Sequence, residues 1–437
     1  MGADTVGEQS ADHQSKLEAV YSKVTWRLIP FLFLAWILAW IDRVNIGFAK
    51  LTMLSDLDFS QAVYGLGAGV FFIGYFFFEV PSNLYMVKIG ARKTIARIMI
   101  CWGIVCAAQM FVQTPFQFYA LRFLLGAFEA GFYPGIILYL TYWFTIERRA
   151  RAFGQFMAAS AVAGVLGGPI AGIIMTGLDG VNGLAGWQWL FLLEGIPSVI
   201  VGICTFFYLT DRPHQATWLS DDEKDLLEKD MKLDNERAGP REHSFLASLR
   251  DPKIWLLILI FFCIIAGNST LTFWGPTIIQ DLGVEDPFWI GMIAAIPYLA
   301  GAIGMVLNGR HSDKMDESRY HTGLAALLGA VSLAMVAVLG DYPVLAMIAL
   351  TLATVGTMSA IPVFWQLPAR YVTGLAIAGT VALINSIANL AGVGAPWALG
   401  VIKDATGQLS LGLYGIAAIE GMTIVLIMVF IKKREKA

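Results

Sequence analysis

The feature that most limits how this chain can fold is its series of apolar runs, each about 20 residues long. A helix needs roughly 20 such residues to cross about 30 Å of hydrocarbon. The runs lack the two-residue alternation of a membrane β-strand, and lipid tolerates only helices or closed barrels. We therefore predict an all-α membrane protein with twelve transmembrane helices, at 27–46, 61–86, 95–113, 116–143, 150–177, 187–209, 253–279, 288–309, 321–339, 342–366, 372–400 and 409–431.

Composition agrees with a lipid environment. The chain is 57% apolar and only 14% charged, with a mean hydropathy of +0.65, whereas a soluble domain carries about 25% charge. All four cysteines fall in apolar runs, which predicts small hydrophobic side chains and neither a disulfide nor a metal site. We expect no cofactor. A net charge of −3 with dispersed basic residues argues against a nucleic-acid partner.

The distribution of lysine and arginine predicts the orientation in the membrane. Basic residues concentrate in the loops on one side, whereas the opposite loops hold only Lys50 and Lys403. By the positive-inside rule the basic side is cytoplasmic. With twelve spans, the segments 1–26 and 432–437 then both lie in the cytoplasm, and the location is the plasma (cell inner) membrane.

A polar stretch at 211–252 divides the apolar runs into two sets of six, at 27–210 and 253–431. Ser220 and Glu223 in this stretch have the spacing of a capping box, which begins a helix. We interpret 211–252 as a cytoplasmic linker that contains a short amphipathic helix.

The two sets of spans resemble diverged copies of each other. Pro134 and Pro362 are 228 residues apart, and Gly65 and Gly291 are 226 residues apart. A nearly constant offset predicts two pseudo-symmetric six-helix bundles. In transporters built from repeats, the substrate site lies at the interface between the copies.

Ionisable residues lie well inside the spans, and four of them carry the functional argument: Asp42, Arg43, Arg122 and Glu129. Three further carboxylates, Glu79, Glu194 and Glu420, are interpreted as structural, and backbone donors freed near a helix break are expected to satisfy Glu79 and Glu194. A charge in hydrocarbon costs several kcal/mol and persists mainly where it is paired, hydrated or functional. Asp42 and Arg43 point about 100° apart on a helix, so each can contact a different neighbour. Arg122 and Glu129 are seven residues apart on one helix face, so we expect their side chains to meet.

Such a pair suggests a proton switch. A nearby arginine favours the charged form of Glu129, whereas burial favours the neutral form. Glu129 would then release its proton when the arginine is engaged with it, and take the proton back when the arginine turns to a substrate anion. The alternative is a static ion pair that holds helices together. The histidines lie in loops or at span ends, so carboxylates must carry any proton coupling.

An organic carboxylate is best met by the planar donor fork of arginine, and Arg43 and Arg122 are the only arginines well inside a span. We expect Arg43 to bind the carboxylate of the substrate. The equivalent positions in the second half are neutral, with Asn268 and Ser269 opposite Asp42 and Arg43. Charge handling is therefore predicted to lie in the N-terminal half, and the partners are a small organic anion, protons and the lipid bilayer.

Several motifs carry a family resemblance. The major facilitator superfamily has a loop signature G-x3-D-[RK]-x-G-[RK]-[RK], of which the second copy keeps Gly309, Asp313 and Lys314. The first copy departs from it, with Asn83 for the leading glycine and Val87 for the aspartate. Further motifs resemble the anion:cation symporter family within that superfamily, namely Asp42-Arg43-x-Asn45, Pro81-Ser82-Asn83-Leu84, Arg122-x6-Glu129, Gly186-Trp187-Gln188-Trp189 and Ala382-Leu383-Ile384-Asn385-Ser386.

The resemblance implies a role for each matching residue. Arg43 would anchor the anion, Asp42 and Glu129 would be the protonation sites, and Arg122 would govern Glu129. The pocket would include Tyr75, Ser160, Trp365 and Asn385, although Trp365 fits helix packing equally well. Gly309, Asp313 and Lys314 would form a gating loop.

The function that follows is import of a small organic anion by proton symport through alternating access, with a monomer as the functional unit. Similar proteins carry sugar acids, tartrate, phthalate or hydroxyphenylacetate, which leaves the substrate open. Exchange of organic anions, uniport and a transporter-like membrane sensor remain as alternatives. An enzyme is not expected, because no metal-ligand cluster, nucleophile elbow or phosphate-binding loop interrupts the spans.

Overall fold

The computed structural model of the chain describes residues 2–238, 251–368 and 376–431, and within these ranges it contains helices and no β-strand. The helices are α1 Gly2–Val44, α2 Ile46–Leu57, α3 Gln61–Ile89, α4 Ala91–Ala108, α5 Pro115–Glu129, α6 Phe132–Leu140, α7 Ile146–Gly177, α8 Gly186–Tyr208, α9 Asp221–Ala238, α10 Pro252–Asp281, α11 Pro287–Met315, α12 Arg319–Val338, α13 Pro343–Phe364, α14 Ala376–Ala388, α15 Ala391–Thr406 and α16 Ser410–Phe430.

The twelve-helix prediction is confirmed in part. The described residues contain 11 helical segments that are long and apolar enough to cross a membrane. The predicted span at 372–400 differs, because it consists of two shorter helices, α14 and α15, separated by a turn at Asn389 and Leu390. Part of its N-terminal end lies outside the described residues, as do residues 432–437 of the predicted tail.

Two spans are interrupted next to charged residues. The first span breaks at Asn45, between α1 and α2, two residues after Arg43. The fourth breaks at Ala130 and Gly131, immediately after Glu129. A Cβ at Gly131 would lie 2.0 Å from the Ser82 hydroxyl oxygen, so the close approach of α3 requires glycine here. Both charged side chains therefore project from helix ends in the middle of a span.

The linker helix α9 begins as the sequence predicts. The Ser220 backbone N–H donates to Glu223 at 2.8 Å, and the Glu223 N–H donates to the Ser220 hydroxyl at 3.2 Å, which completes the capping box. The helix lies against the start of α1, where Lys23 pairs with Glu223 at 2.7 Å and its hydrogen bond holds the pKa of Glu223 below its usual value. We call this end of the bundle the linker face and the opposite end the far face.

The N-terminal half (27–210) and the C-terminal half (253–431) pack mainly through three helix pairs: α2 with α10, α3 with α15, and α7 with α11. Glycines allow the backbones to touch, since a Cβ at Gly168 would lie 2.5 Å from the Gly291 carbonyl oxygen and one at Gly65 would lie 2.3 Å from that of Pro396.

Hydrogen bonds reinforce this packing towards the far face. The Asp404 carboxylate accepts from the Gln61 and Ala62 backbone N–H groups at 2.9 and 2.7 Å, and the Thr176 hydroxyl donates to Asp286 at 3.1 Å. These contacts hold the halves together at the far face.

The expectation that Lys50 and Lys403 lie in loops is wrong. Lys50 lies in α2 and is 4% exposed. Lys403 lies in the last turn of α15 and pairs with Asp281 at 2.7 Å. The apolar residues around Lys50 continue the helix beyond the predicted end of the first span, so its ammonium is carried into the interface between the halves.

Replacement of Gly168 by alanine should destabilise the protein by about 1–3 kcal/mol, because the new methyl group meets backbone atoms of α11 that have no room to move. The melting temperature of the detergent-purified protein measures this loss. Gly154→Ala is the matched control on the same helix, since a Cβ there meets nothing within 4 Å. Equal melting temperatures for the two variants would contradict the packing described here.

Candidate functional site

The centre of the site is an ion pair between two helices. The Arg43 Nε atom of α1 donates to Glu129 Oε1 of α5 at 3.1 Å, and its NH2 group donates to the same oxygen. The Glu129 side chain is 1% exposed and that of Arg43 is 16% exposed. Glu129 Oε2 is buried without a hydrogen-bond partner. The carboxylate is thus sequestered, while the guanidinium keeps an accessible edge.

The expected contact between Arg122 and Glu129 is not formed, because no hydrogen bond joins the two side chains. Arg122 is fully buried, and its Nε atom donates to the Gly67 carbonyl oxygen at 3.3 Å. Its NH1 and NH2 groups have no hydrogen-bond partner. Spacing along one helix places Arg122 and Glu129 on the same face, but the arginine that reaches the carboxylate comes from the neighbouring helix α1.

Aromatic rings surround the Arg43 guanidinium. Its central carbon lies between 5.2 and 6.0 Å from the centres of four rings, those of Trp36, Trp40, Phe71 and Tyr75. The Trp36 indole N–H donates to the Ser160 hydroxyl at 2.6 Å. The structure therefore brings the predicted site residues Tyr75 and Ser160 to the Arg43 site. Such a ring-lined setting displaces water and strengthens the interaction of the cation with an anion.

Asp42 contacts different helices from those that Arg43 contacts, as the sequence predicts. It is 1% exposed and accepts hydrogen bonds from the Trp102 indole at 2.9 Å, from the Ser198 hydroxyl and from the Cys106 thiol at 3.4 Å. These donors come from α4 and α8. Cys106 is thus more than a small hydrophobic side chain, and Asp42 is held by neutral donors inside the N-terminal half.

Trp365 and Asn385 have their described contacts in the C-terminal half. The Trp365 ring packs at 4.8 Å, edge-on, against Phe261, and the Asn385 backbone carbonyl accepts from Asn389 at 2.8 Å. Both side chains are half-buried. A predicted role for them in substrate contact stays a prediction.

The segment that was expected to be a gating loop is helical. Gly309, Asp313 and Lys314 lie in the last two turns of α11, which ends at Met315. Asp313 accepts a hydrogen bond from the Gln366 side-chain amide at 2.8 Å, which ties the end of α11 to the end of α13. The signature therefore marks a helix-end contact and not a loop.

A cavity between the halves opens beside Trp40, one of the rings around Arg43. Its lining is mostly apolar and comes from α1, α2, α7, α10, α11 and α13. The polar side chains in the lining are those of Thr272, Tyr298 and Thr354. Trp40 thus belongs both to the rings around Arg43 and to the lining of this apolar cavity.

The other buried carboxylates of the spans differ from one another in their hydrogen bonds. Glu79 accepts from the Ser386 hydroxyl at 2.8 Å, which links α3 to α14 across the halves. Both carboxylate oxygens of Glu194 are buried without a hydrogen-bond partner, so backbone donors freed near a helix break do not satisfy it. No sequence signal pointed to Ser198 or Trp102, because their roles depend on which helices become neighbours.

With this geometry described, comparison with known proteins identifies the family. The family model described as Major Facilitator Superfamily matches residues 32–396. The chain belongs to the major facilitator superfamily. It is accordingly a multi-pass membrane transporter and not an enzyme.

Curated members of the superfamily resemble the chain over nearly its full length. A protein named "Putative tartrate transporter" from Agrobacterium vitis is 49% identical over 401 residues, which cover 92% of each chain. A protein named "Putative metabolite transport protein NicT" from Pseudomonas putida is 46% identical over 413 residues, which cover 94% of each chain.

Solved structures of the superfamily share the fold. A D-xylose–proton symporter superposes with a TM-score of 0.75 at 14% identity, covering 93% of this chain and 98% of that one. An inward-facing bacterial homologue of the human lysosomal transporter Spinster gives a TM-score of 0.73 at 17% identity, covering 94% and 95%. At these identities the likeness extends to the helix arrangement alone.

The Arg43–Glu129 pair should behave as one energetic unit. Arg43→Met leaves the Glu129 carboxylate buried without a counter-charge, which costs about 3–5 kcal/mol. Adding Glu129→Gln to that variant removes the orphaned charge, so the double variant should melt at a higher temperature than Arg43→Met alone. If the double variant loses as much melting temperature as the two single variants lose together, the two residues are not coupled.

Proposed function

We propose that this transporter imports a small organic anion together with protons through alternating access. The observation that carries the proposal is the Arg43–Glu129 pair, because a partly exposed arginine is held by a single oxygen of a buried carboxylate. An incoming substrate carboxylate can approach the free edge of the guanidinium. It then competes with Glu129 for the same donors.

The competition supplies the coupling to protons. Once the substrate carboxylate holds Arg43, Glu129 is left buried without its counter-ion, and a buried carboxylate without a partner takes up a proton. Substrate and proton are then loaded together and the site is close to neutral. Arg122 lies on the same helix as Glu129, and its two terminal NH₂ groups have no hydrogen-bond partner. It can therefore serve as an alternative counter-ion for Glu129 when the proton leaves.

Asp42 fits a second protonation site. Its described partners are the neutral donors Trp102, Ser198 and Cys106, and a carboxylate in such a setting exchanges a proton more readily than one held by a cation. The adjacent position of Asp42 and Arg43 on α1 would transmit a change at one residue to the other. Trp365 and Asn385 are proposed to cover the substrate from the C-terminal half.

The proposed orientation places the linker face in the cytoplasm and the far face outside, in the plasma membrane, with both termini inside and a monomer as the working unit. The basic residues at the linker face support it through the positive-inside rule. In this orientation, the glycine contacts near Gly168 and Gly65 close the outer entrance. The contact of Asp313 with Gln366 is proposed to act in gating at the cytoplasmic end.

The substrate class is a small carboxylate with one dominant anchor. Two Agrobacterium vitis relatives are named as putative tartrate transporters, which makes tartrate the first acid to test. The aromatic rings around Arg43 make an aromatic monocarboxylate such as benzoate the second.

Glu129→Gln should separate exchange from accumulation. The variant cannot take up the coupling proton, so concentrative uptake driven by a proton gradient should vanish, whereas counterflow of labelled acid should survive. Both are measured in proteoliposomes with labelled tartrate and benzoate. Undiminished concentrative uptake by the variant would contradict the assignment of Glu129. If the wild type takes up the acid equally well with and without an imposed proton gradient, uniport or exchange would be favoured.

Arg43→Lys should weaken binding of the transported acid by roughly tenfold or more. Lysine keeps the charge, but it lacks the planar fork that meets two carboxylate oxygens at once. A thermal-shift titration of the purified protein measures the change in affinity. Arg27→Lys is the control, since Arg27 stacks on Tyr208 at 3.9 Å in the N-terminal half near the linker face. An unaltered affinity in Arg43→Lys would remove Arg43 as the anchor.

A further inference from the structure

A second cation lies on the first span, between the proposed anchor and the far face. Lys50 follows Arg43 by seven residues, which is two helical turns or about 10 Å by helical rise. Its ammonium group is buried and has no hydrogen-bond partner. An ammonium in such a place is costly unless something compensates it. The described partners are the rings of Trp274 and Tyr64, with centres at 3.3 and 4.5 Å.

The carboxylates within electrostatic reach of Lys50 have other partners. Asp281 pairs with Lys403 at 2.7 Å, and Asp404 accepts the backbone N–H groups of Gln61 and Ala62. The charge of Lys50 is therefore left to the two aromatic faces, which compensate only part of the lost hydration.

The helix that carries Trp274 has two buried donors without a hydrogen-bond partner. The Trp274 indole N–H is fully buried and has no hydrogen-bond partner, and neither has the hydroxyl of Thr277, one turn later on α10. Donors of this kind are costly when buried and unpaired. Together with the Lys50 ammonium they form a set that suits a carboxylate, which can accept from a cation and a neutral N–H at once.

The two sides of this set belong to different halves. Lys50 and Tyr64 lie on α2 and α3 of the N-terminal half, whereas Trp274 and Thr277 lie on α10 of the C-terminal half. Gly47, three residues before Lys50, packs against the α10 backbone, since a Cβ there would lie 3.3 Å from the Phe273 carbonyl oxygen. Parting the halves at the far face must therefore draw Trp274 away from Lys50 and open the ammonium to solvent.

We propose that Lys50 is an anion-binding subsite at the far face, which receives the carboxylate of the substrate before Arg43 does. When the halves are parted, the ammonium holds the incoming acid two turns from the anchor. When they close, Trp274 returns to Lys50 and the acid passes to Arg43. The proposal rests on the proposed function, because it concerns the same organic anion.

The test compares entry from the two faces. Intact cells present the labelled acid at the far face, and everted membrane vesicles present it at the linker face. The probe is tartrate, or benzoate if the wild type takes up benzoate faster. Lys50→Met should raise the KM of uptake into cells roughly tenfold, as expected for the loss of one charge-assisted contact. The turnover rate and the KM in everted vesicles should change less than about twofold. Lys50→Arg should keep most of the affinity.

The controls keep the outcome decisive. Lys88→Met removes an exposed lysine in the last turn of α3 at the linker face, so the KM in cells should not change. Rates are divided by the amount of transporter in the membrane, and Lys50→Gln replaces Lys50→Met if the latter does not accumulate there. An unchanged KM in cells, an equal rise at both faces, or a change in turnover alone would overturn the subsite. Failure of the wild type to take up any carboxylate would instead overturn the proposed function.

Discussion

The rest of the site depends on the ion pair in which two nitrogens of Arg43 donate to one carboxylate oxygen of Glu129. Two charges removed from water are stable only while they remain paired, and here the pairing leaves the Glu129 Oε2 atom without a partner and one edge of Arg43 accessible. A substrate carboxylate that takes the arginine changes the protonation state that Glu129 prefers. In the proposed mechanism, binding of the substrate at Arg43 is thereby coupled to proton uptake at Glu129.

The helix packing explains why such a site can serve both sides of a membrane. The halves touch through glycine backbones at Gly65 and Gly168, which gives close but side-chain-poor contacts towards the far face. Surfaces of this kind separate without leaving large side chains stranded. The cations Arg43 and Lys50 lie along the first span beside this interface, and both are covered by aromatic rings. Water is thus excluded from either cation whenever the halves close over it.

Sequence reasoning succeeds here where the controlling physics is local. Hydropathy finds most of the spans, the capping box at Ser220 begins α9, and the charges within the spans include the Arg43–Glu129 pair. It fails where the partner comes from another helix. The spacing of Arg122 and Glu129 shows a shared helix face, but it says nothing about Arg43 reaching the same carboxylate from α1. Lys50 resembles a loop residue because hydropathy falls near it, yet α2 carries it into the interface. The break between α14 and α15 is likewise hidden inside a continuous apolar run.

The central claim is that substrate and Glu129 compete for Arg43, so the most direct measurement is the proton uptake that accompanies binding. Titration of the transported acid into the detergent-purified protein, in lightly buffered solution with a pH indicator, measures it without any membrane. The account predicts an uptake of close to one proton for each acid bound by the wild type, and almost none for Glu129→Gln with binding preserved. Binding by the wild type without proton uptake, or the same uptake in both proteins, would contradict it.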